Sequence, residues 1–201
     1  MISIEFLLAA LIVVVIPGTG VLYTIATGIS RGWAASAAAA FGCTLGILPA
    51  IAAAFIGLSA LLHSGALVYT ALKYAGAVFL IYLAWQTWND RGPISLSRGL
   101  PTSALSLATT GVLINVLNPK LSIFFLAFLP QFVDPAGAVQ MQLAMMSAIF
   151  MLMTFAVFLI YGAIATGAGQ YLRHPSATAW IRRSSAITFA ALGARLALVR
   201  N

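Results

Sequence analysis

Charged residues are scarce in this sequence. Only 6% of the 201 residues are Asp, Glu, Lys or Arg, whereas 62% are hydrophobic. A soluble domain of this length needs far more charge to cover its surface, so the composition excludes an ordinary soluble protein. Long apolar runs recur along the whole chain, which predicts that the lipid bilayer surrounds nearly all of it.

Cysteine, histidine and acidic residues are also rare. The one cysteine, Cys43, lies within an apolar run, so no intramolecular disulfide and no CxxC redox pair can form. The two histidines, His63 and His174, fall in predicted loops on opposite sides of the membrane and cannot share a site. No His–Glu or Asp–Asp pair lies in an apolar segment. The sequence therefore predicts neither an enzyme nor a bound cofactor.

The basic residues favour a membrane surface over nucleic acid. Ten Lys and Arg outnumber three acidic residues, but they are scattered singly or in pairs between apolar segments. Cationic loops that face an anionic cytoplasmic leaflet explain this pattern, and no nucleic-acid binding is predicted.

The apolar runs predict an all-α, polytopic membrane protein with about six transmembrane helices. The first run carries Glu5 and no Lys or Arg, which favours a transmembrane helix over a signal peptide. The sixth run is short and contains Arg195, so an amphipathic helix in the membrane interface is an alternative there. The predicted segments are 4–26, 34–62, 67–88, 104–133, 143–168 and 184–199.

Loop charges predict the orientation. The second and fourth loops contain no Lys or Arg, whereas the odd-numbered loops hold all the basic loop residues. The positive-inside rule then places the odd loops in the cytoplasm and the N-terminus outside. The residues concerned are Arg31, Arg91, Arg98, Arg173, Arg182 and Arg183.

The sequence predicts one transporter domain, 1–201, with an internal repeat. A polar linker rich in Pro, Gly and Ser, at 89–103, separates a first half at about 1–88 from a second half at about 104–201. Three segments in each half give the halves opposite orientations. This is the arrangement of an inverted-topology repeat.

The first segment of each half is interrupted near its middle. Paired interruptions at matching positions are the best sequence pointer to the binding site of a transporter. Two ordinary proline kinks are the alternative. The residues of the two breaks are Pro17, Gly18, Thr19, Gly20, Asn118, Pro119 and Lys120.

The second break has the pattern of a new helix start. Asn118 is a favoured N-cap and Pro119 suits the first helical position, which predicts a half-helix up to about Phe132. Lys120 adds a positive charge to the positive end of that helix, which favours a bound anion. Facing half-helix N-termini would bind a carboxylate, and the carbonyl ends of the preceding half-helices would receive an ammonium group. Alternatively, Lys120 extends to the cytoplasmic headgroups.

Two more polar residues are candidates for the substrate site. Asn115 lies one turn from Asn118 on the same face, where it either lines the pocket or bonds a neighbouring helix. Lys73 lies about two turns inside the third segment, where it either faces the pathway or extends to the headgroups.

These motifs resemble the LysE/RhtB family of bacterial inner-membrane amino-acid exporters, of the homoserine, threonine and lysine efflux type. The similarity is carried by "IPGTGVLYTIATGISRGWAASAAAAFGCTLG", "LKYAGAVFLIYLAW", "NPKLSIFFLAFLPQFVDP" and "ALGARLAL". It implies efflux of small amino acids or related metabolites from the cell, driven by the proton gradient.

The sequence departs from that family at two places. Thr19 and Gly20 stand where the family usually has Pro followed by Asn or Asp, and Ile47 stands where many members have Asp. No carboxylate then lies deep in the membrane, which favours a neutral substrate such as homoserine, threonine or leucine. A carboxylate proton relay is missing as well, so either Lys120 takes part in coupling or another group does.

Two other functions compete with amino-acid export. A divalent-metal exporter needs carboxylate, His or thiol ligands at the midplane, where the sequence offers only Met and amides. A passive channel for small solutes would show flux without saturation. A homo-oligomer is compatible with the sequence but is not indicated by it.

Overall fold

The protein is helical throughout the part that the computed structural model describes. That part comprises residues 2–64 and 103–172, together with individual residues between 70 and 89 and between 183 and 198. It contains helices and their connections but no strand, which confirms the predicted all-α class. Lys73, nearly all of the linker and most of the third and sixth predicted segments lie outside the described residues.

The first predicted segment is a broken helix. Helix α1 spans Ile4–Val15 and helix α2 spans Thr19–Arg31, with a 50° bend between them. Ser3 caps α1, because its Oγ accepts a hydrogen bond from the backbone N–H of Phe6. The interruption therefore falls at the predicted Pro-Gly pair.

The second predicted segment is a long helical stretch with a short interruption between two helices. Helix α3 spans Trp33–Leu45 and helix α4 spans Leu48–Ser64. The stretch Trp33–Gly57 is long and apolar enough to cross a membrane by itself. Between α2 and α3 the chain turns at Gly32, whose φ of +81° suits a residue without a Cβ.

The fourth predicted segment is broken like the first. Helix α5 spans Ala104–Val116 and helix α6 spans Pro119–Ile123, with a bend of 54° at the break. The helical path then continues through a π-helical turn, Phe124–Phe128, and a 3₁₀ turn, Leu129–Phe132. The half-helix thus ends at Phe132, as predicted.

Helix α7 forms the fifth predicted segment and spans Val139–Leu172. Its 34 residues extend over ~51 Å, which exceeds the ~30 Å hydrocarbon core of a bilayer. Two described helices are long enough to span a membrane, and each bent pair counted as one span raises the number to four. The count of six, and the exact inverted repeat, stay predictions.

Helices of each half of the described chain pack against helices of the other half. Helices α1 and α2 pack against α7 of the second half, whereas α5 packs against α3 of the first half.

The α3–α5 contact depends on small residues. A Cβ built on Gly42 would lie 2.0 Å from the carbonyl oxygen of Ala108, and one built on Gly111 would lie 2.8 Å from that of Ala39. Backbones approach this closely only where side chains are absent. Gly42 and Gly46, which both lie against α5, therefore mark a close helix contact.

The outer surface is apolar, as a lipid-facing surface must be. Ile56, Leu105 and Leu152 are 75%, 79% and 69% exposed, respectively. A soluble protein rarely exposes so many large apolar side chains. The interior contains a cluster of phenylalanines, in which the rings of Phe124 and Phe150 stack with centroids 4.6 Å apart.

Candidate functional site

Lys120 binds the end of the first half-helix. Its Nζ donates hydrogen bonds of 2.9 Å to the carbonyl oxygens of Val13 and Ile16, and the residue is buried. The hydroxyl of Tyr161 donates a 2.7 Å hydrogen bond to the carbonyl oxygen of Val15. The last carbonyls of a helix lack partners within it, so side chains from α6 and α7 supply partners at the end of α1.

This arrangement differs from three expectations about Lys120 and the first break. Its charge does not depend on a bound anion alone, because the negative end of the α1 dipole already stabilises it. The carbonyls expected to receive the ammonium group of a substrate are occupied by the ammonium group of Lys120. The side chain also turns inward to the first break, not along its own helix toward the membrane surface.

Asn118 caps helix α6 as predicted. Its Oδ1 accepts a 3.1 Å hydrogen bond from the backbone N–H of Lys120, and Pro119 occupies the first helical position. Its Nδ2 donates a 3.3 Å hydrogen bond to the Oδ1 of Asn115. The second break is therefore a true helix start, not an ordinary proline kink.

Asn115 bonds a neighbouring helix, which is one of its two predicted roles. Its Nδ2 donates a 2.7 Å hydrogen bond to the carbonyl oxygen of Cys43 on α3, so it ties α5 to a neighbouring helix. It also lines the cavity at the breaks. Gly20 makes room for it, since a Cβ built there would lie 2.7 Å from the Asn115 Oδ1.

Helix α2 begins without a side-chain cap. Gly18 is its N-cap and offers no side-chain hydrogen bond, and the first backbone hydrogen bond runs from the Leu22 N–H to the Gly18 carbonyl oxygen. The N–H groups of the first turn therefore have no partner within the helix. A Cβ built on Gly18 would lie 3.3 Å from the Nζ of Lys120. The two breaks thus meet, and a positive charge lies beside the positive end of α2.

A small cavity lies where the breaks meet. Its volume is about 20 Å³, which is room for about one water molecule. Of the residues predicted from sequence to bind substrate, five line it: Gly18, Gly20, Asn115, Asn118 and Lys120.

The other predicted site residues do not line this cavity in the described part of the chain. Pro17 and Thr19 adjoin the break, and the side chain of Thr19 is exposed. The side chain of Pro119 lies outside the described residues, as does Lys73.

The sequence did not predict that residues of α7 line the cavity. Phe150, Thr154 and Phe158 line the cavity at helical spacing. Thr154 is a buried polar residue in a strongly apolar helix. A polar residue in such a helix was the sequence signal that could have placed α7 at the site. The remaining lining is apolar and comes from Val13, Val14, Val21 and Leu121.

Among the described residues, the cavity lining contains no carboxylate, imidazole or thiol. Across the part of the chain that the structure describes, no group of three or more His, Cys, Asp or Glu side chains could hold a metal ion. The polar groups that line the cavity are amides, a hydroxyl and one ammonium, which suit a small polar organic molecule better than a cation of high charge.

Comparisons with known proteins agree on one family. The family model described as LysE type translocator matches residues 11–200. An uncharacterized membrane protein of Vibrio cholerae is 33% identical over 172 residues, which cover 85% of this chain and 84% of that protein. No solved structure matches.

Two further relatives have names that state a function. A homoserine/homoserine lactone efflux protein of Salmonella typhi is 27% identical over 197 residues, covering 98% of this chain and 96% of its own. A leucine efflux protein of Salmonella choleraesuis is 25% identical over 133 residues, covering 64% of this chain and 62% of its own.

Proposed function

The chain belongs to the LysE type translocator family, and from this premise we propose that it exports a small neutral amino acid or a related metabolite. Homoserine, threonine and leucine represent the class. Membership of this family makes the chain a membrane transporter, not an enzyme. The names of its relatives support amino-acid efflux, and the proposed membrane is the inner membrane of a bacterium.

The observation that carries the proposal is the meeting of the two helix breaks at Lys120. The α2 N-terminus presents N–H groups without partners in the helix, and the Lys120 ammonium lies beside it. A carboxylate at this point would accept hydrogen bonds from both and would balance the buried charge. The proposed carboxylate site therefore lies at Gly18 and Gly20, and not at the α6 N-terminus that Asn118 already caps.

The rest of the lining favours a neutral substrate side chain. Phe150, Phe158 and Leu121 offer an apolar surface, and Thr154 offers one hydroxyl. No lining residue in the described part of the chain carries a negative charge, so the cationic side chain of a substrate such as lysine would have no charged partner there.

Binding requires the cavity to open. A volume of about 20 Å³ is room for about one water molecule, and an amino acid has several times as many heavy atoms as water. The bends between α1 and α2 and between α5 and α6 are the proposed hinges, at which the helices that line the cavity would move apart. Alternating access by movement of one repeat against the other follows from the proposed inverted repeat.

We include the proton gradient as the driving force in the proposal. Of the described residues that line the cavity, Lys120 is the one with an ionisable side chain, so it is the proposed coupling residue. Lys120→Arg keeps the charge permanently. We expect this variant to retain exchange of substrate but to lose uphill transport driven by an imposed pH gradient. Retention of both activities would exclude Lys120 as the coupling residue.

The test of transport is counterflow in liposomes. The protein is reconstituted, the liposomes are loaded with unlabelled amino acid, and entry of labelled homoserine, threonine and leucine is measured against lysine and glutamate. We expect saturable exchange of a neutral amino acid and at least a tenfold loss in Lys120→Met. Gly167→Ala is the matched control, because nothing lies within 4 Å of a Cβ at that position.

The same liposomes separate the competing functions. Flux that rises linearly with concentration and shows no counterflow would identify a passive channel. Saturable uptake of Mn²⁺ with no amino-acid exchange would identify a metal transporter. Either result would refute the proposed function.

A further inference from the structure

Three polar side chains recur at a spacing of seven residues in the apolar middle of α7. Between Leu143 and Ala165, the side chains that carry oxygen or nitrogen are those of Ser147, Thr154 and Tyr161. Seven residues bring a helix back to nearly the same face, with a drift of ~20°, and advance it by ~10 Å. The three side chains therefore form one polar stripe along ~21 Å of α7, which is most of the ~30 Å hydrocarbon core.

Two members of this stripe belong to the candidate site. Thr154 lines the cavity, and the hydroxyl of Tyr161 bonds the carbonyl oxygen of Val15 at the end of α1. The polar face of α7 therefore faces the meeting point of the breaks. Ser147 continues the same face toward Val139, the end of α7 that the predicted orientation places outside.

Ser147 differs from the other buried hydroxyl side chains of the described helices. It is 4% exposed, yet its Oγ has no hydrogen-bond partner within the described structure. A buried hydroxyl without a partner is costly and calls for an explanation. Elsewhere in this protein, hydroxyls turn back to the carbonyl four residues earlier, as in Thr24, Thr27, Ser30, Thr44, Thr109, Thr110, Thr154 and Thr166.

We propose that the polar stripe of α7 lines the translocation pathway and that Ser147 is a second contact point for the substrate, between the cavity and the outer surface. The ligand class is a small molecule with hydrogen-bonding polar groups, together with its water. The identity of that molecule as an amino acid rests on the proposed function, whereas the pathway does not.

Cysteine accessibility tests the pathway. Ser147→Cys and Ala148→Cys are made in a Cys43→Ser background, which removes the one native cysteine. Ala148 is the matched control because it is the next residue along α7 but is exposed on the lipid-facing surface. Both are treated in membrane vesicles with a membrane-impermeant, cationic methanethiosulfonate, which reacts with thiols in contact with water.

We expect Ser147→Cys to react at least tenfold faster than Ala148→Cys. Ser147→Cys reacting no faster than Ala148→Cys would overturn the pathway assignment. If Ser147→Cys reacts while no amino acid is exchanged, the pathway stands and the proposed function fails. If an amino acid is exchanged while Ser147→Cys stays unreactive, this inference alone fails.

The hydroxyl itself is tested by Ser147→Ala. Because the hydroxyl bonds nothing in the described structure, its removal should leave the melting temperature in detergent unchanged or slightly raised. We expect the maximal exchange rate to fall at least threefold. An unchanged rate would overturn the role of Ser147 as a substrate contact.

Discussion

At the scale of single residues, Lys120 links the two helix breaks. Its backbone N–H is held by the Asn118 side chain at the start of α6, and its ammonium group is held by Val13 and Ile16 at the end of α1. One residue therefore joins a helix start in one half of the chain to a helix end in the other. A substrate that binds beside Lys120 could thereby affect the bend of both helices.

Replacing Lys120 should reduce stability as well as transport. Lys120→Met keeps most of the volume but leaves two buried carbonyls without partners, at a cost of about 1–3 kcal/mol each. We expect a clear fall in the melting temperature of the protein in detergent. Tyr161→Phe removes one neutral hydrogen bond from the same helix end and should lower the melting temperature less. A melting temperature of Lys120→Met equal to that of the wild type would contradict the described hydrogen bonds.

The N-cap at Asn118 gives a second prediction at this scale. Asn118→Ala removes the acceptor for the Lys120 N–H and should cost ~1 kcal/mol of stability, whereas Asn118→Ser keeps a capping oxygen and should cost less. Thermal unfolding in detergent distinguishes the two variants. Equal melting temperatures for Ala and Ser would show that the cap contributes little.

At the scale of helices, the positions of the two breaks could be predicted from the sequence. The residues that each break contacts could not. Pro-Gly in the first segment and Asn-Pro in the fourth are local signals for a helix end and a helix start, and both breaks occur there. The attachment of Lys120 to α1 was not predictable, because it joins residues more than 100 positions apart in sequence. Hydrophobic periodicity could not single out the inward face of α7, because the helix is apolar nearly all round. The seven-residue spacing of Ser147, Thr154 and Tyr161 was the available sequence signal for that face.

The contact between α3 and α5 gives a prediction at the same scale. Gly42→Ala would place a Cβ 2.0 Å from the Ala108 carbonyl oxygen, so the two helices would have to separate. We expect strong destabilisation, on the order of 1–3 kcal/mol for overpacking or more. Gly167→Ala, in open space on α7, should be neutral or slightly stabilising. Similar melting temperatures for the two variants would contradict the close approach of α3 and α5.

At the scale of the whole molecule, composition was enough to predict a membrane protein of helices. The exposed apolar side chains of the described helices agree with that prediction. The second of the three segments in each half packs against the broken helix of the other half, a relation that only the three-dimensional arrangement reveals. The six-helix count and the two repeats, 1–88 and 104–201, remain proposals.

The distribution of arginine predicts the orientation in the membrane. We expect the N-terminus and the loop after Phe132 to lie outside, and the connection at Arg31 to lie in the cytoplasm. Single cysteines introduced into a Cys43→Ser background, at Ser3 and at Ser30, would report this in intact cells. Labelling of the Ser3 position but not the Ser30 position by an impermeant reagent is the expected result, and the reverse pattern would refute it.

The proposed site for the substrate carboxylate lies between the α2 N-terminus and Lys120. The most direct measurement is competition in the counterflow assay between the best transported amino acid and its carboxamide, which has the same side chain and ammonium group but no carboxylate. We predict that the free amino acid competes at least tenfold more strongly. Equal competition by the carboxamide would contradict the account, because the site would then not recognise a negative charge.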